Sequence, residues 1–259
     1  MARAGPITPA ALDSLARVDV MILGEVHDNP VHHANQARAV AALDPRAVVF
    51  EMLTPAQARA ITPRLRDDPD ALAAALDWAD SGWPDFALYY PIIKAAPGAR
   101  IVGAEVARAK LRRAISDGAP AALFGPDAAR FGLMTPLPAE QQRQREDMQA
   151  AAHCGVLPEE MLPGMVTGQR LRDAALARAA LRALERTGGP VAVITGNGHA
   201  RIDWGVPAVL EKVAPWVGVL SVGQFETPPA PPVPYDLWMV TVPAERGDPC
   251  AGLAGATRR

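Results

Sequence analysis

Six short apolar runs punctuate this chain, and the stretches between them carry helical patterns. The runs are residues 18–23 (VDVMIL), 47–50 (AVVF), 100–103 (RIVG), 191–195 (VAVIT), 217–222 (VGVLSV) and 237–242 (LWMVTV). They are too short for membrane helices and do not alternate apolar with polar. Runs of this kind are strands buried on both faces, as in a parallel sheet covered by helices. Between them, Pro30 sits at a first-turn position for a helix over 31–43, and Thr54-Pro55 opens another by the cap-then-proline rule. The expected fold is α/β: a mostly parallel sheet with flanking helices.

The middle of the chain breaks the pattern. Residues 107–186 contain no convincing strand; 138–152 and 158–185 read as helices, with Gly164 a weak point in the second. The expected organisation is a discontinuous sheet domain (1–106 and 187–243) interrupted by a small all-helical subdomain (107–186). A Gly- and Arg-containing tail (244–259) is expected to be disordered.

With 49% hydrophobic residues among 259, the chain has ample material for a core. Lys+Arg is 26 against Asp+Glu 28, a net charge of −2, so no nucleic-acid partner is expected. No apolar run reaches the roughly 18 residues of a membrane span. Residues 1–10 hold no signal-length apolar core, so the expected location is cytoplasmic. A mature fragment of an exported or lipid-anchored protein would start the same way. Two cysteines, Cys154 and Cys250, make neither a disulfide framework nor a zinc-ribbon spacing.

In open parallel sheets, ligands bind beyond the carboxyl ends of the strands. The first run ends in Gly24-Glu25-Val26-His27, where Glu25 and His27, two apart on extended chain, point to one side. The second ends in Glu51. The fourth ends in Gly196-Asn197-Gly198-His199. Three strand ends thus deliver Glu25, His27, Glu51 and His199 towards one rim. Two imidazoles and two carboxylates have the chemistry to hold a divalent metal, zinc or manganese. They equally suit a metal-free acid/base cluster with His27 as base. The bland alternative for each is a hydrogen-bonded loop histidine or a structural ion pair.

Other residues frame the rim. His32 and His33 are neighbours on a helix, about 100° apart, so at most one faces it. His153 precedes Cys154-Gly155 at a helix end, a place where a histidine also serves the helix terminus. Gln169, Arg172 and Asp173 share a helix face. The segment from Ser81 to Pro91 gathers Trp83, Phe86, Tyr89 and Tyr90. These either staple a helix to the core or wall a flat ligand.

Taken in order, these motifs resemble the ChaN-like haem-binding uptake family of the Tiki superfamily. The matching segments are Leu23-Gly24-Glu25-Val26-His27-Asp28-Asn29-Pro30 with His32, His33 and Gln36; Phe50-Glu51-Met52; Trp83 to Pro91; His153-Cys154-Gly155; Gln169 to Asp173; and Gly196 to Arg201 with Asp203 and Gly205-Val206-Pro207. The resemblance implies a parallel sheet with a small helical domain, haem as cofactor, and a part in haem or iron uptake. It implies tyrosine ligation of the iron, with Tyr89 the fitting position and Tyr90 its neighbour, and a histidine is the alternative donor. Trp83, His153 and Arg172, with Arg108, would then contact the haem or its propionates. It leaves open a homodimer sharing haem. Through the related erythromycin-esterase-like hydrolases it also implies a second function: hydrolysis by Glu25, His27, Glu51 and His199.

Overall fold

The computed structural model describes residues 5–248, 250 and 251. The chain forms two compact units. One comprises the residues up to Glu105 together with Ala175–Ala244; the other comprises Val106–Ala174 with the residues from Glu245 on. In chain order the strands are β1 Gly5–Pro6, β2 Val20–Glu25, β3 Ala47–Phe50, β4 Arg100–Gly103, β5 Val191–Gly196, β6 Val219–Phe225 and β7 Leu237–Val240. The helices are α1 Pro30–Leu43, α2 Pro55–Ala60, α3 Pro69–Ala75, α4 Phe86–Ala95, α5 Arg108–Asp117, α6 Pro120–Phe124, α7 Ala139–Ala152, α8 Leu162–Thr187, α9 Asn197–Ala200 and α10 Val206–Val213.

The first unit is an α/β fold around one sheet of order β1-β7-β6-β2-β5-β3-β4. Every pairing among the described strands is parallel. The strands at its centre, β2, β3 and β5, are buried along their whole lengths. That is why their sequences are continuous apolar runs. Although β5 is formed late in the chain, it lies between β2 and β3, so the carboxyl ends of these three strands stand side by side. Register fixes the detail: Glu25 of β2 is opposite Gly196 of β5, and Phe50 of β3 is opposite Ile194. The Glu51 N–H continues the ladder to the Ile194 carbonyl at 3.1 Å.

Local sequence rules set the helices on either side. Asn29 caps α1 by accepting from the Val31 and His32 amides at 2.9 and 3.2 Å, with Pro30 in the first turn. Thr54 and Gln57 form a capping box at the start of α2. Asp85 caps α4, which turns Phe86, Tyr89, Ile92 and Ile93 into the core as one apolar stripe. These pack in the same cluster as Leu23, Phe50 and Ile194 of the sheet.

The second unit is helical. α8 begins here and runs straight through Gly164. A Cβ on Gly164 would stand 2.5 Å from the Ile115 carbonyl oxygen of α5. Gly164 therefore allows close helix packing and does not interrupt the helix. Arg145 of α7 and Asp173 of α8, both buried, form an ion pair at 3.9 Å. Arg170 donates to the carbonyls of Gly132 and Thr135, each at 2.7 Å. Cys154 and Cys250 are joined in a disulfide across 96 positions of sequence. Part of the tail expected to be disordered is thereby tied covalently to the helical unit; Pro249 and residues 252–259 lie outside the described residues.

Candidate functional site

Glu25 is the last residue of β2 and its side chain is buried. Its Oε1 is 2.7 Å from Nδ1 of His27. The Tyr89 hydroxyl, presented by α4, donates to the same oxygen at 3.2 Å and to the His27 carbonyl at 3.4 Å. From α1, His33 donates its Nε2 proton to the His27 carbonyl at 2.8 Å, and its Nδ1 faces Glu25 Oε2 at 3.5 Å. The ring stacks edge-on to Tyr89, with centroids 4.4 Å apart. Three rings thus enclose one carboxylate. Turned about 100° round the helix, His32 does something else. Its Nδ1 accepts from the Val26 amide at 2.9 Å, which leaves Nε2 to donate to Thr241 Oγ1 at 2.9 Å. His33 is therefore the one that faces the rim.

The second carboxylate lies at the next strand end. Glu51 Oε2 accepts from the Thr195 hydroxyl at 2.6 Å and the Gly196 amide at 2.9 Å. Its Oε1 is 3.4 Å from Nε2 of His199, which α9 presents directly after β5. Both Glu51 and His199 are buried.

His27 differs from the rest. Its side chain is 35% exposed, and the ring lies edge-on to Trp83, with centroids 4.9 Å apart. With Nδ1 engaged by Glu25, Nε2 has no hydrogen-bond partner among the described residues. A Cβ on Gly196 would come within 2.8 Å of that nitrogen, so only glycine leaves it clear. Burial on its own would lower the His27 pKa. The Glu25 hydrogen bond, the charges of Glu51 and Glu25, and the opposing charge of His199 together leave it raised above the ordinary histidine value. The Tyr89 phenol is also pushed upward, first by burial and then by Glu25.

The structure therefore brings Glu25, His27, Glu51 and His199 to adjacent strand ends as two carboxylate–imidazole pairs. Trp83 is half-buried beside His27. The Tyr90 hydroxyl donates to the Arg66 carbonyl at 2.9 Å. His153 and Arg172 belong to the helical unit; His153 Nδ1 pairs with the Gln149 carbonyl at 2.8 Å, at the end of α7. The zinc or manganese alternative finds no support. Among the described residues no three His, Cys, Asp or Glu side chains form a cation site. At Glu25, Oε1 is taken by His27 and Tyr89 while buried Oε2 has no hydrogen-bond partner among the described residues; at Glu51, Oε2 is taken by Thr195 and Gly196.

Two participants were not singled out from sequence: Thr195, and the Tyr89 hydroxyl as a partner of Glu25. Thr195 had a signal, since a hydroxyl closing an otherwise apolar buried strand needs a buried acceptor. No helix among the described residues is long and apolar enough to cross a membrane.

A family model for haem-binding uptake, Tiki superfamily, ChaN matches residues 11–210. Among solved structures the chain is similar to ChaN of Campylobacter jejuni, in a structure described as cofacial haem binding. Identity is 20% and the TM-score 0.62, over 83% of this chain and 84% of that one. It is also similar to the type III effector HopBA1, at 13% identity and a TM-score of 0.48, over 91% and 92% of the two chains. No curated protein matches the sequence. At these identities the structural likenesses speak for the fold, and the second carries no further weight.

Proposed function

The chain belongs to the ChaN haem-binding uptake family of the Tiki superfamily, and from that premise we propose that it binds haem at the strand-end rim and serves haem or iron uptake or handling. The observation that carries this is the family match itself, which spans β2, β3, β5 and α9 and so every residue of the rim. The residues there suit the group. An open imidazole nitrogen offers an iron donor, and half-buried Trp83 beside it offers an apolar edge to a porphyrin. Bound haem would supply an iron centre; the chain's own residues hold and orient it.

Titration of the purified protein with ferric haem tests this. A Soret band that saturates at a fixed stoichiometry supports it, and an absorbance that only adds free haem to protein refutes it. Cofacial binding in the Campylobacter jejuni protein makes a haem-dependent homodimer the arrangement to look for, by comparing the mass in solution before and after saturation.

A specific observation favours a second function. Glu25 holds His27 Nδ1 and leaves Nε2 open, the arrangement of a general base whose imidazole is oriented by a carboxylate. His27 would then take a proton from water, with Glu51 and His199 beside the substrate, in a hydrolysis that needs no metal. A screen of ester and amide substrates tests it. Any activity found should vanish in both His27→Ala and Glu51→Gln; activity surviving both substitutions would exclude the cluster.

A further inference from the structure

We propose that His27, through Nε2, is the axial ligand of haem iron in this chain, with Glu25 as the residue that orients its imidazole. This rests on the haem reading above and goes further by naming the donor atom, in place of the tyrosine that the family resemblance implies.

The chain has three tyrosines, and each hydroxyl is engaged. Tyr89 is 1% exposed and donates to Glu25 and to the His27 carbonyl. It is wedged between Trp78 and His33, with ring centroids at 5.1 and 4.4 Å. To serve as a phenolate it would have to leave the core or place a negative charge against the Glu25 carboxylate. Tyr90 donates to the Arg66 carbonyl at 2.9 Å, and buried Tyr235 donates to the Asn197 carbonyl at 2.9 Å.

The histidines sort the same way. Both nitrogens of His32 are engaged, at the Val26 amide and at Thr241. His33 is buried, with Nε2 on a carbonyl and Nδ1 facing Glu25. His199 is buried against Glu51. His153 belongs to the helical unit and holds the Gln149 carbonyl. Both cysteines are in the disulfide.

Among the histidines of the sheet unit, His27 alone combines a partly exposed ring with a nitrogen that has no hydrogen-bond partner among the described residues. Its Nδ1 proton is held by Glu25, which fixes the tautomer and leaves the lone pair on Nε2. Trp83 braces the ring from one side, and the ring edge fits over Gly196, where any side chain would collide with Nε2. A carboxylate behind a ligating imidazole also makes it a stronger donor and favours the ferric state.

The test uses the full chain and ferric haem, read by absorbance, electron paramagnetic resonance and the iron–histidine stretch of the ferrous form. Wild type and Tyr89→Phe should give the same nitrogen-ligated spectrum. His27→Ala should lose it, and added imidazole should restore it, which shows that the variant is folded around an open site. Glu25→Gln should bind haem about 10–100-fold more weakly and raise the reduction potential. A wild-type spectrum retained in His27→Ala, or a phenolate signature lost in Tyr89→Phe, would overturn His27 while leaving haem binding in place. Absence of any haem binding by the wild type would overturn the haem reading and this inference together.

Discussion

Glu25 Oε1 lies 2.7 Å from Nδ1 of His27, two residues along the same chain. The bond exists because β2 stays in register with β5 through Glu25, so the next residues leave the sheet with their side chains over its edge. It favours the charged imidazolium, and the folded-state pKa of His27 is raised against the 6.5 of an ordinary histidine. The sign of the linkage follows. The stabilisation is present in full below the ordinary histidine value and is lost as pH rises through the raised value. In haem-free protein, the His27 ring signal in NMR should titrate above the ordinary value. In Glu25→Gln the midpoint should fall, because burial then acts with less opposition. An unchanged midpoint would mean that the bond does not form in solution.

Two glycines separate steric roles in the fold from a role at the site. A Cβ on Gly103 would stand 2.2 Å from the Thr54 carbonyl oxygen, a backbone atom that cannot turn aside. Gly103→Ala should lower stability by about 3 kcal/mol or more, towards the upper end of overpacking costs. At Gly196 the obstacle is His27 Nε2 at 2.8 Å, the far end of a partly exposed side chain. Gly196→Ala should cost about 1 kcal/mol while displacing the ring. Urea midpoints measure the first effect, and the His27 NMR signal registers the second. Equal losses in the two variants would contradict this assignment.

Tyr89→Phe removes a single oxygen and keeps the ring between Trp78 and His33. Glu25 loses one of the two donors to Oε1. The expected loss is about 1–3 kcal/mol, the range for withdrawing a partner from a buried polar group. Denaturant unfolding checks it. A neutral result would mean that water replaces the hydroxyl at Glu25.

How far these features were legible in the sequence depends on what each is made of. The runs 47–50 and 100–103 coincide with β3 and β4; β3 is apolar and buried throughout, while β4 opens on exposed Arg100. β2 and β5 continue one or two residues past their apolar runs, into Glu25 and Gly196. Main-chain pairing does not depend on side-chain polarity, and those extra residues are the ones that set the site. The two-residue β1 at Gly5–Pro6 carries no run at all and is held only by pairing with β7. Strand order was not readable, since the placement of β5 between β2 and β3 is a long-range choice. Glu25 and His27 were legible from alternation alone. The choice between His32 and His33 was legible only as an exclusion, because which face of α1 meets β2 is decided by packing. The orientation of the Tyr89 hydroxyl was beyond reach for the same reason.

The Cys154–Cys250 bond was the least legible feature, since two cysteines 96 positions apart carry no spacing signal. It closes a long loop, and a bond of that kind contributes on the order of 2–4 kcal/mol, chiefly by restricting the unfolded chain. Cys250→Ser should therefore weaken the helical unit by about that amount, seen as an earlier unfolding transition by circular dichroism. Thiol titration of protein denatured without reductant should find no free thiol, and two after reduction. Disulfides persist in oxidising compartments and are rare in a reducing cytosol. Protein directed to an oxidising compartment should carry the bond in full, whereas protein held in a reducing cytosol should gain it only on oxidation. Two reactive thiols in the former sample would set the bond aside.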